Sequence, residues 1–238
     1  MAVRRCYGSP PPGLLMDELA GVLIVIEGPD ASGRSTHVRM LTAWLEEQGY
    51  PVAHTGLSRS RLVRHELERA KLGNVLSPRT MSLFYATDFY DQLENVIVPA
   101  LRAGSVVLAD RYIFTLMARD MIRGANRRWV ESLYSMALVP DVVFYFAVSV
   151  NTLVERTLYS RGNLDYWESG MDLGISRDWH SSFLTYQRRM RAEFRRLRKH
   201  HDFQEINADR RLVTIQHDLR ARIDRVLSQS EAALQAGV

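Results

Sequence analysis

VLIVIEGPDASGRST, residues Val22 to Thr36, decides the fold. Val22 to Ile26 is an apolar, mostly β-branched run, which reads as a buried parallel strand. The turn Gly28-Pro29-Asp30-Ala31-Ser32-Gly33 follows. Arg34-Ser35-Thr36 then opens a helical pattern with Val38, Leu41, Trp44 and Leu45 on one face. Strand, glycine-containing loop and helix, in that order, are the setting in which backbone amides cradle a phosphate. The glycines let N–H groups turn inward around an anion, and the helix N-terminus adds its partial positive charge. The Ser35 hydroxyl falls where such loops hold Mg²⁺. One residue departs from the pattern, which places lysine where this chain has Arg34. The alternative is an ordinary glycine turn into a helix, and the agreement of strand, spacing, helix and hydroxyl argues against it.

The rest of the composition sets bounds. With 238 residues, 46% hydrophobic and 24% charged, the chain is an ordinary globule with a sizeable core, in one α/β domain or two small ones. Its net charge of +4 suits anionic ligands without choosing among nucleotides, nucleic acid and acidic lipid. Lys71 and Lys199 are the only two lysines against 29 arginines, and this bias offers a bland origin for Arg34. The single cysteine, Cys6, excludes an intrachain disulfide framework and fits a reducing compartment. Residues 1–20, with Arg4-Arg5 and the Ser9-Pro10-Pro11-Pro12-Gly13 segment, read as a mobile extension. No apolar stretch suits a signal peptide or a membrane span, so a cytoplasmic protein with no membrane partner is expected.

Beyond the loop, Gly49 closes the first helix and Pro51 opens a short strand, Val52 to Thr55. Helical spacing of Leu62, Leu67 and Leu72 precedes Pro78, which starts a long helix reaching about Arg102. Ser105 to Ala109 is a second buried strand, and Val142 to Val148 a third. Helices over 114–123 and 127–138 lie between them. Asn151 caps the next helix, and residues 160–177 read as a mobile loop. An arginine-rich helix over 178–199, a last strand from Phe203 to Ile206 and an amphipathic helix over 211–234 complete the chain. Strands alternating with helices predict one α/β domain over 21–234, a largely parallel sheet covered on both faces.

Val106-Val107-Leu108-Ala109-Asp110 is an apolar strand ending in a carboxylate, which places Asp110 at the sheet edge where ligands bind in open α/β folds. There Asp110 would order Mg²⁺ or its waters beside Ser35, and Arg111 would clamp a second phosphate. A capping Asp beside a surface Arg is the alternative.

With the loop Gly28–Thr36 and Asp110-Arg111-Tyr112 in place, the chain resembles the thymidylate kinases, a family of nucleoside monophosphate kinases. Leu83-Phe84-Tyr85-Ala86, Val139-Pro140-Asp141 and the segment from Arg161-Gly-Asn-Leu-Asp165 to Glu168 support the likeness, which runs from about residue 21 to 228. The resemblance implies a P-loop NTPase-like three-layer sandwich, with a five-stranded parallel sheet between layers of helices. It also implies a lid at about 156–178, a homodimer, and transfer of the ATP γ-phosphoryl to a nucleoside 5′-monophosphate. By that likeness Gly28, Pro29, Asp30, Ala31, Ser32, Gly33, Arg34, Ser35 and Thr36 hold ATP, with Ser35 and Asp110 on Mg²⁺. Asp30, Arg59, Arg111 and Tyr112 meet the acceptor, Phe84 stacks on its base, and Arg156 and Arg161 reach in from the lid. Asp30, Arg34, Arg111 and Arg161 are the candidate catalytic residues. Phosphoryl transfer rests on charge neutralisation and in-line positioning, which arginines, Mg²⁺ and backbone amides supply.

The departures bear on chemistry. The family carries a catalytic arginine in the loop or the lid; here those places hold Ala31 and, in Leu164-Asp165-Tyr166, Tyr166. Arg34 or Arg161 would then supply the charge. In the base pocket a gapless placement puts Asp88 and Asp120 where the family offers donors. Thymidylate is the acceptor that the resemblance implies, but carboxylates accept hydrogen bonds, so guanine, with N1–H and N2–H₂, is the better match and a protonated or amino-bearing pyrimidine the second, unless one Asp pairs with Arg119 or Arg123 and never touches the base. Two other readings stay open: a catalytically weak nucleotide-binding relative, favoured by the missing arginines, and a nucleic-acid binder built on RRMRAEFRRLRKHH, residues 188–201. The second is disfavoured because Met190, Phe194 and Leu197 form an apolar face and no aromatic platform is interleaved with the charges.

Overall fold

Strand β1, Val22–Glu27, is buried along its whole length. It lies between β3, Val106–Asp110, and β4, Val142–Ala147, with β2, Val52–Gly56, and β5, Phe203–Asn207, at the edges. The order is β2-β3-β1-β4-β5 and every pair is parallel. Parallel neighbours need a crossover, and helices supply it. The computed structural model describes residues 4–73 and 76–236, with the side chains at 160, 161 and 234–236 outside that description.

The helices are α1, Arg34–Glu47; α2, Arg64–Gly73; α3, Pro78–Gln92; α4, Val98–Arg102; α5, Ile113–Ile122; α6, Arg127–Leu133; α7, Val150–Arg161; α8, Trp179–Leu197; and α9, Leu212–Ala236. Alternation along β1 divides the core into two layers. Leu23 and Val25 join Val107, Ala109 and Tyr145 on one face, covered by Met81 of α3, Phe114 of α5 and Phe194 of α8. Ile24 and Ile26 join Leu108 and Phe144 on the other, covered by Leu41 and Leu45 of α1 and Leu219 and Ile223 of α9. The sandwich expected from the resemblance is therefore present.

The register sets up the site. Ile26 and Gly56 both stand opposite Asp110, so β1, β3 and β2 end level with one another. A Cβ on Gly56 would come within 2.6 Å of the Asp110 carbonyl oxygen, and only glycine permits that approach.

Several boundaries carry their own causes. Ser77 caps α3, accepting the Thr80 N–H at 3.3 Å, and Pro78 occupies the first turn, where its missing N–H costs nothing. The helix predicted over 78–102 continues through one π-helical turn, Leu93–Ile97, into α4. Pro99 accounts for that turn, because its ring cannot accept regular packing against the carbonyl one turn back. The cap of α7 is Ser149, which accepts the Thr152 N–H at 3.1 Å, and not Asn151. Helix α6 stops at Leu133, short of 138, because the following residues pair with the amino-terminal segment. There Val139 N–H donates to the Arg5 carbonyl at 2.7 Å and Tyr7 N–H to the Ala137 carbonyl at 3.0 Å. The segment expected as an extension thus lies along the domain, with Arg4 bonded to Asp141 at 2.9 Å.

Residues 162–178 contain one 3₁₀ turn, Met171–Leu173, and are fastened to α8 by Ser182 and Gln187, which donate to the Ser169 and Glu168 carbonyls at 2.7 and 3.0 Å. The apolar face of the arginine-rich α8, Met190, Phe194 and Leu197, is buried in the core. No helix among the described residues is long and apolar enough to cross a membrane.

Candidate active site

The loop between β1 and α1 ends at Gly33, whose φ of 90° lies in the left-handed region that a side chain resists. Gly33 is the N-cap of α1 and offers no capping side chain, so the first amides of the helix remain available to an anion. Ala31 also sits left-handed, at φ 58°. Arg34 turns back into the loop. Its Nε donates to Asp110 Oδ1 at 2.9 Å, and its Nη1 donates to the Gly28 carbonyl at 2.5 Å, to Ser32 Oγ at 3.0 Å and to the Pro29 carbonyl. One buried guanidinium therefore ties the loop to the end of β3, a span that a lysine ammonium cannot bridge. Burial and Arg111 work against its charge, while Asp110 and Asp30 support it.

Ser35 Oγ donates to Asp110 Oδ2 at 2.8 Å, and the Arg59 guanidinium stands 4.0 Å from the same oxygen. Burial opposes ionisation of Asp110, but Arg34, Ser35 and Arg111 outweigh it and hold the carboxyl below the usual range. A hydroxyl and an ionised carboxylate side by side are hard oxygen donors, and they fit Mg²⁺ that keeps most of its other places for water and phosphate oxygens. On the far side of the loop, Arg156 of α7 reaches the Ser32 carbonyl at 3.4 Å and the Ala208 carbonyl at 3.0 Å. Arg161 lies outside the described side chains.

Arg111 follows β3 at φ 73°, a strained position for a non-glycine residue. Its guanidinium pairs with Asp30, which also stands 3.4 Å from Arg119. Burial raises the Asp30 carboxyl, but Arg111, Arg119 and Arg34 prevail and hold it well below the carboxylate range. The turn is locked from behind by Glu27. That buried carboxylate accepts the Tyr112 N–H at 2.9 Å, the Thr115 N–H at 3.2 Å and the Thr115 hydroxyl, which caps the start of α5. Burial pushes the Glu27 carboxyl up, opposed by Thr115, Tyr112 and the two arginines.

Beyond Asp30 and Arg111 opens a cavity of about 380 Å³. One wall is α5, through Leu116, Arg119, Asp120 and Arg123; these positions recur at helical spacing. A second wall is α3, through Pro78, Met81 and Tyr85. The 162–178 segment closes it, with Trp167 Nε1 donating to the Lys71 carbonyl of α2 at 3.0 Å. Arg123 is fixed to Asp172 by two hydrogen bonds, at 2.8 and 3.1 Å.

Several expected acceptor residues need correction. Phe84 is half-buried against the core, and its neighbour Tyr85 lines the cavity, because one residue turns the helix face by about 100°. Asp88 is wholly buried outside the cavity. It accepts the Ser58 and Ser60 N–H groups, both at 2.8 Å, and so holds the wall that Leu57 and Ser58 present. Tyr112 is a core residue whose hydroxyl donates to the Leu138 carbonyl at 3.0 Å. Arg59 borders the Asp110 end of the loop instead of the cavity. Asp120 does line the cavity, as do Asp30 and Arg111. Glu27 and Trp167 were not singled out from the sequence, and Arg119 and Arg123 only as partners for a nearby carboxylate; the 116, 119, 120, 123 spacing on α5 is the signal that places those two arginines on the cavity wall.

A loop able to cradle a triphosphate thus faces a cavity of nucleoside size, with Asp30 and Arg111 between them. The profile of the thymidylate kinase family matches residues 26–218. A probable thymidylate kinase 2 of Saccharolobus solfataricus is 33% identical over 213 residues, covering 89% of this chain and all of that protein. A probable thymidylate kinase of Pyrococcus abyssi is 31% identical over 65% of this chain and 78% of its own length. A thymidylate kinase of an Exiguobacterium species is 31% identical over 63% and 74%. With the sheet order, the loop and the likeness running through the same residues, the chain belongs to the thymidylate kinase family.

Proposed function

We propose that this ATP-dependent nucleoside monophosphate kinase phosphorylates thymidylate, with Mg²⁺ accompanying ATP, and that it works in the cytoplasm as a homodimer. The single observation that carries the reading is the bridge of Asp30, Arg111 and Arg119 between the phosphate loop and the cavity. The loop amides and Arg34 would hold the β- and γ-phosphates. Ser35 and Asp110 would hold Mg²⁺, which supplies charge neutralisation between the phosphates. Arg111 would pass from Asp30 to the acceptor phosphate and place its oxygen in line with the γ-phosphorus. Asp30, held ionised by its arginines, then orients those guanidinium groups and takes no proton. The arginine missing at Ala31 and Tyr166 leaves Arg34 in the loop, and Arg111 and Arg119 at the cavity, as the cations that would offset the charge of transfer.

The reading of a weak, regulatory relative is opposed by the intact Asp30, Ser35 and Asp110. The test is transfer of label from [γ-³²P]ATP to each ribo- and deoxynucleoside monophosphate in turn. Thymidine diphosphate should be the main labelled product. Label appearing in no nucleoside diphosphate would refute the assignment.

A further inference from the structure

We propose that Gln92 is a positioning residue for the transfer step. Its side-chain amide takes the place of a neighbouring strand at the edge of the sheet, and so sets where Arg59 stands beside Asp110. The inference rests on the loop at 28–36 and Asp110 being the transfer site.

Strand β2 is an edge strand, with β3 on one side only. Its last residue, Gly56, therefore turns an N–H and a carbonyl toward a side where no strand follows. Both are buried, and Gln92, which is 3% exposed, pairs both. Gln92 Oε1 accepts the Gly56 N–H at 3.2 Å and the Thr55 hydroxyl at 2.8 Å, and Nε2 donates to the Gly56 carbonyl at 2.7 Å. A peptide N–H needs an oxygen and a peptide carbonyl needs a donor, so the orientation of the amide is fixed. Methionine matches the length and offers neither group, and asparagine is one methylene short. Nε2 also lies 3.1 Å from Asp88 Oδ2, the oxygen that accepts the Ser58 N–H. Gln92 and Asp88 thus hold the chain from Gly56 to Ser60 from one side. Within it Ser58 sits left-handed at φ 57°, a conformation that a non-glycine residue keeps only where its surroundings over-determine it.

That chain carries Arg59. A Cβ on Gly56 would lie 3.2 Å from Arg59 Nε and 3.4 Å from its Cζ, so the guanidinium rests against the bare Cα of Gly56. From there it stands 4.0 Å from Asp110 Oδ2 and is 43% exposed. Arg34 and Ser35 are hydrogen-bonded to the same carboxylate, whereas Arg59 approaches it without a bond. Its N–H groups are therefore open to a phosphate oxygen at the Ser35 end of the loop. Gln92 itself lines neither the cavity nor the Asp110 end of the loop, so its effect runs through Gly56 to Arg59.

The test uses Gln92→Met, which keeps the length and loses every bond, and Gln92→Asn, which keeps the amide and loses the reach. Each is made alone and together with Arg59→Met, and rates are read well below the melting temperature of each chain. In both single variants kcat should fall by at least about tenfold, with the thymidylate KM and the calorimetric affinity for ATP within about threefold of wild type. In the Arg59→Met background the same changes should lower kcat by no more than about twofold, because the group they position is gone. Hydrogen exchange needs no turnover. In Gln92→Met it should quicken at least about tenfold over residues 56–60 and stay as in wild type along β1. Equal losses of kcat with and without Arg59 would overturn the proposal, since a residue that only stabilises the fold acts additively. So would a wild-type kcat in both single variants, a loss confined to the thymidylate KM, or unaltered exchange over 56–60. A wild-type chain that transfers no phosphoryl group, with exchange over 56–60 still responding to Gln92→Met, would refute the kinase assignment and leave the anchoring of Arg59 by Gln92 standing.

Discussion

Replacing Glu27 by leucine tests whether the site depends on a residue that touches neither substrate. Leucine matches the bulk but accepts no hydrogen bond. It leaves the Tyr112 and Thr115 amides and the Thr115 hydroxyl unpaired in a fully buried place. Each unpaired buried donor costs about 1–3 kcal/mol, and relief from burying a carboxylate offsets part of the sum, so a net loss of about 3 kcal/mol is expected. For a domain of this size that corresponds to a melting temperature lower by about 6–12 °C. Glu27→Gln keeps one amide oxygen and should lose about half as much. The functional effect follows from position: Arg111 precedes the first capped amide and already sits at φ 73°. A frayed start of α5 should displace its guanidinium, raising the acceptor KM by about tenfold or more. Scanning calorimetry and steady-state kinetics on the same preparations decide it. A change below about 2 °C with an unaltered acceptor KM would refute the role assigned to Glu27.

The remaining predictions concern the loop and the basic helix. Gly33→Val forces a β-branched residue to φ 90° at the mouth of α1, and should abolish ATP binding measured by titration while leaving acceptor binding intact. Arg34→Lys cannot span from Asp110 to the loop carbonyls; ATP affinity should stay within about threefold and kcat should drop by about tenfold or more, whereas a variant as fast as wild type would make Arg34 a product of arginine bias alone. DNA binding by residues 188–201 should be weak and should fall steeply with salt in a filter-binding assay, since only phosphate contacts are on offer. Tight binding to one preferred sequence at physiological salt would revive the nucleic-acid reading.

The sheet and the donor loop were legible because local sequence determines them. Apolar strands end in Glu27 and Asp110, and the glycines fall where the backbone requires them. The acceptor side was less so. Phe84 and Tyr85 are adjacent aromatic residues on one helix, and which one faces the cavity depends on how α3 packs against α5. Asp88 lies on that same face one turn deeper, where the backbone of Ser58 and Ser60 consumes both its oxygens. Glu27 reads as the last residue of a strand until β1 and β3 are set level and α5 begins beside it. Pro99 signals a disturbance, but the π turn that absorbs it is a property of the packed helix. The arginines at 119 and 123 were legible only as neighbours of a carboxylate, among 29 arginines in the chain, and the cavity is what separates them from solvated ones.

The central claim is that the loop at 28–36 and the cavity walled by α5 are the two halves of one phosphoryl-transfer site. Calorimetric titration with a single molecule that joins adenosine and thymidine through five phosphates tests it most directly. The ligand should bind once per chain, far more tightly than ATP or thymidylate alone, and both Gly33→Val and Arg111→Met should abolish that gain. An affinity no better than that of ATP, or a gain insensitive to Arg111→Met, would show that the two halves do not face each other, and would contradict the account.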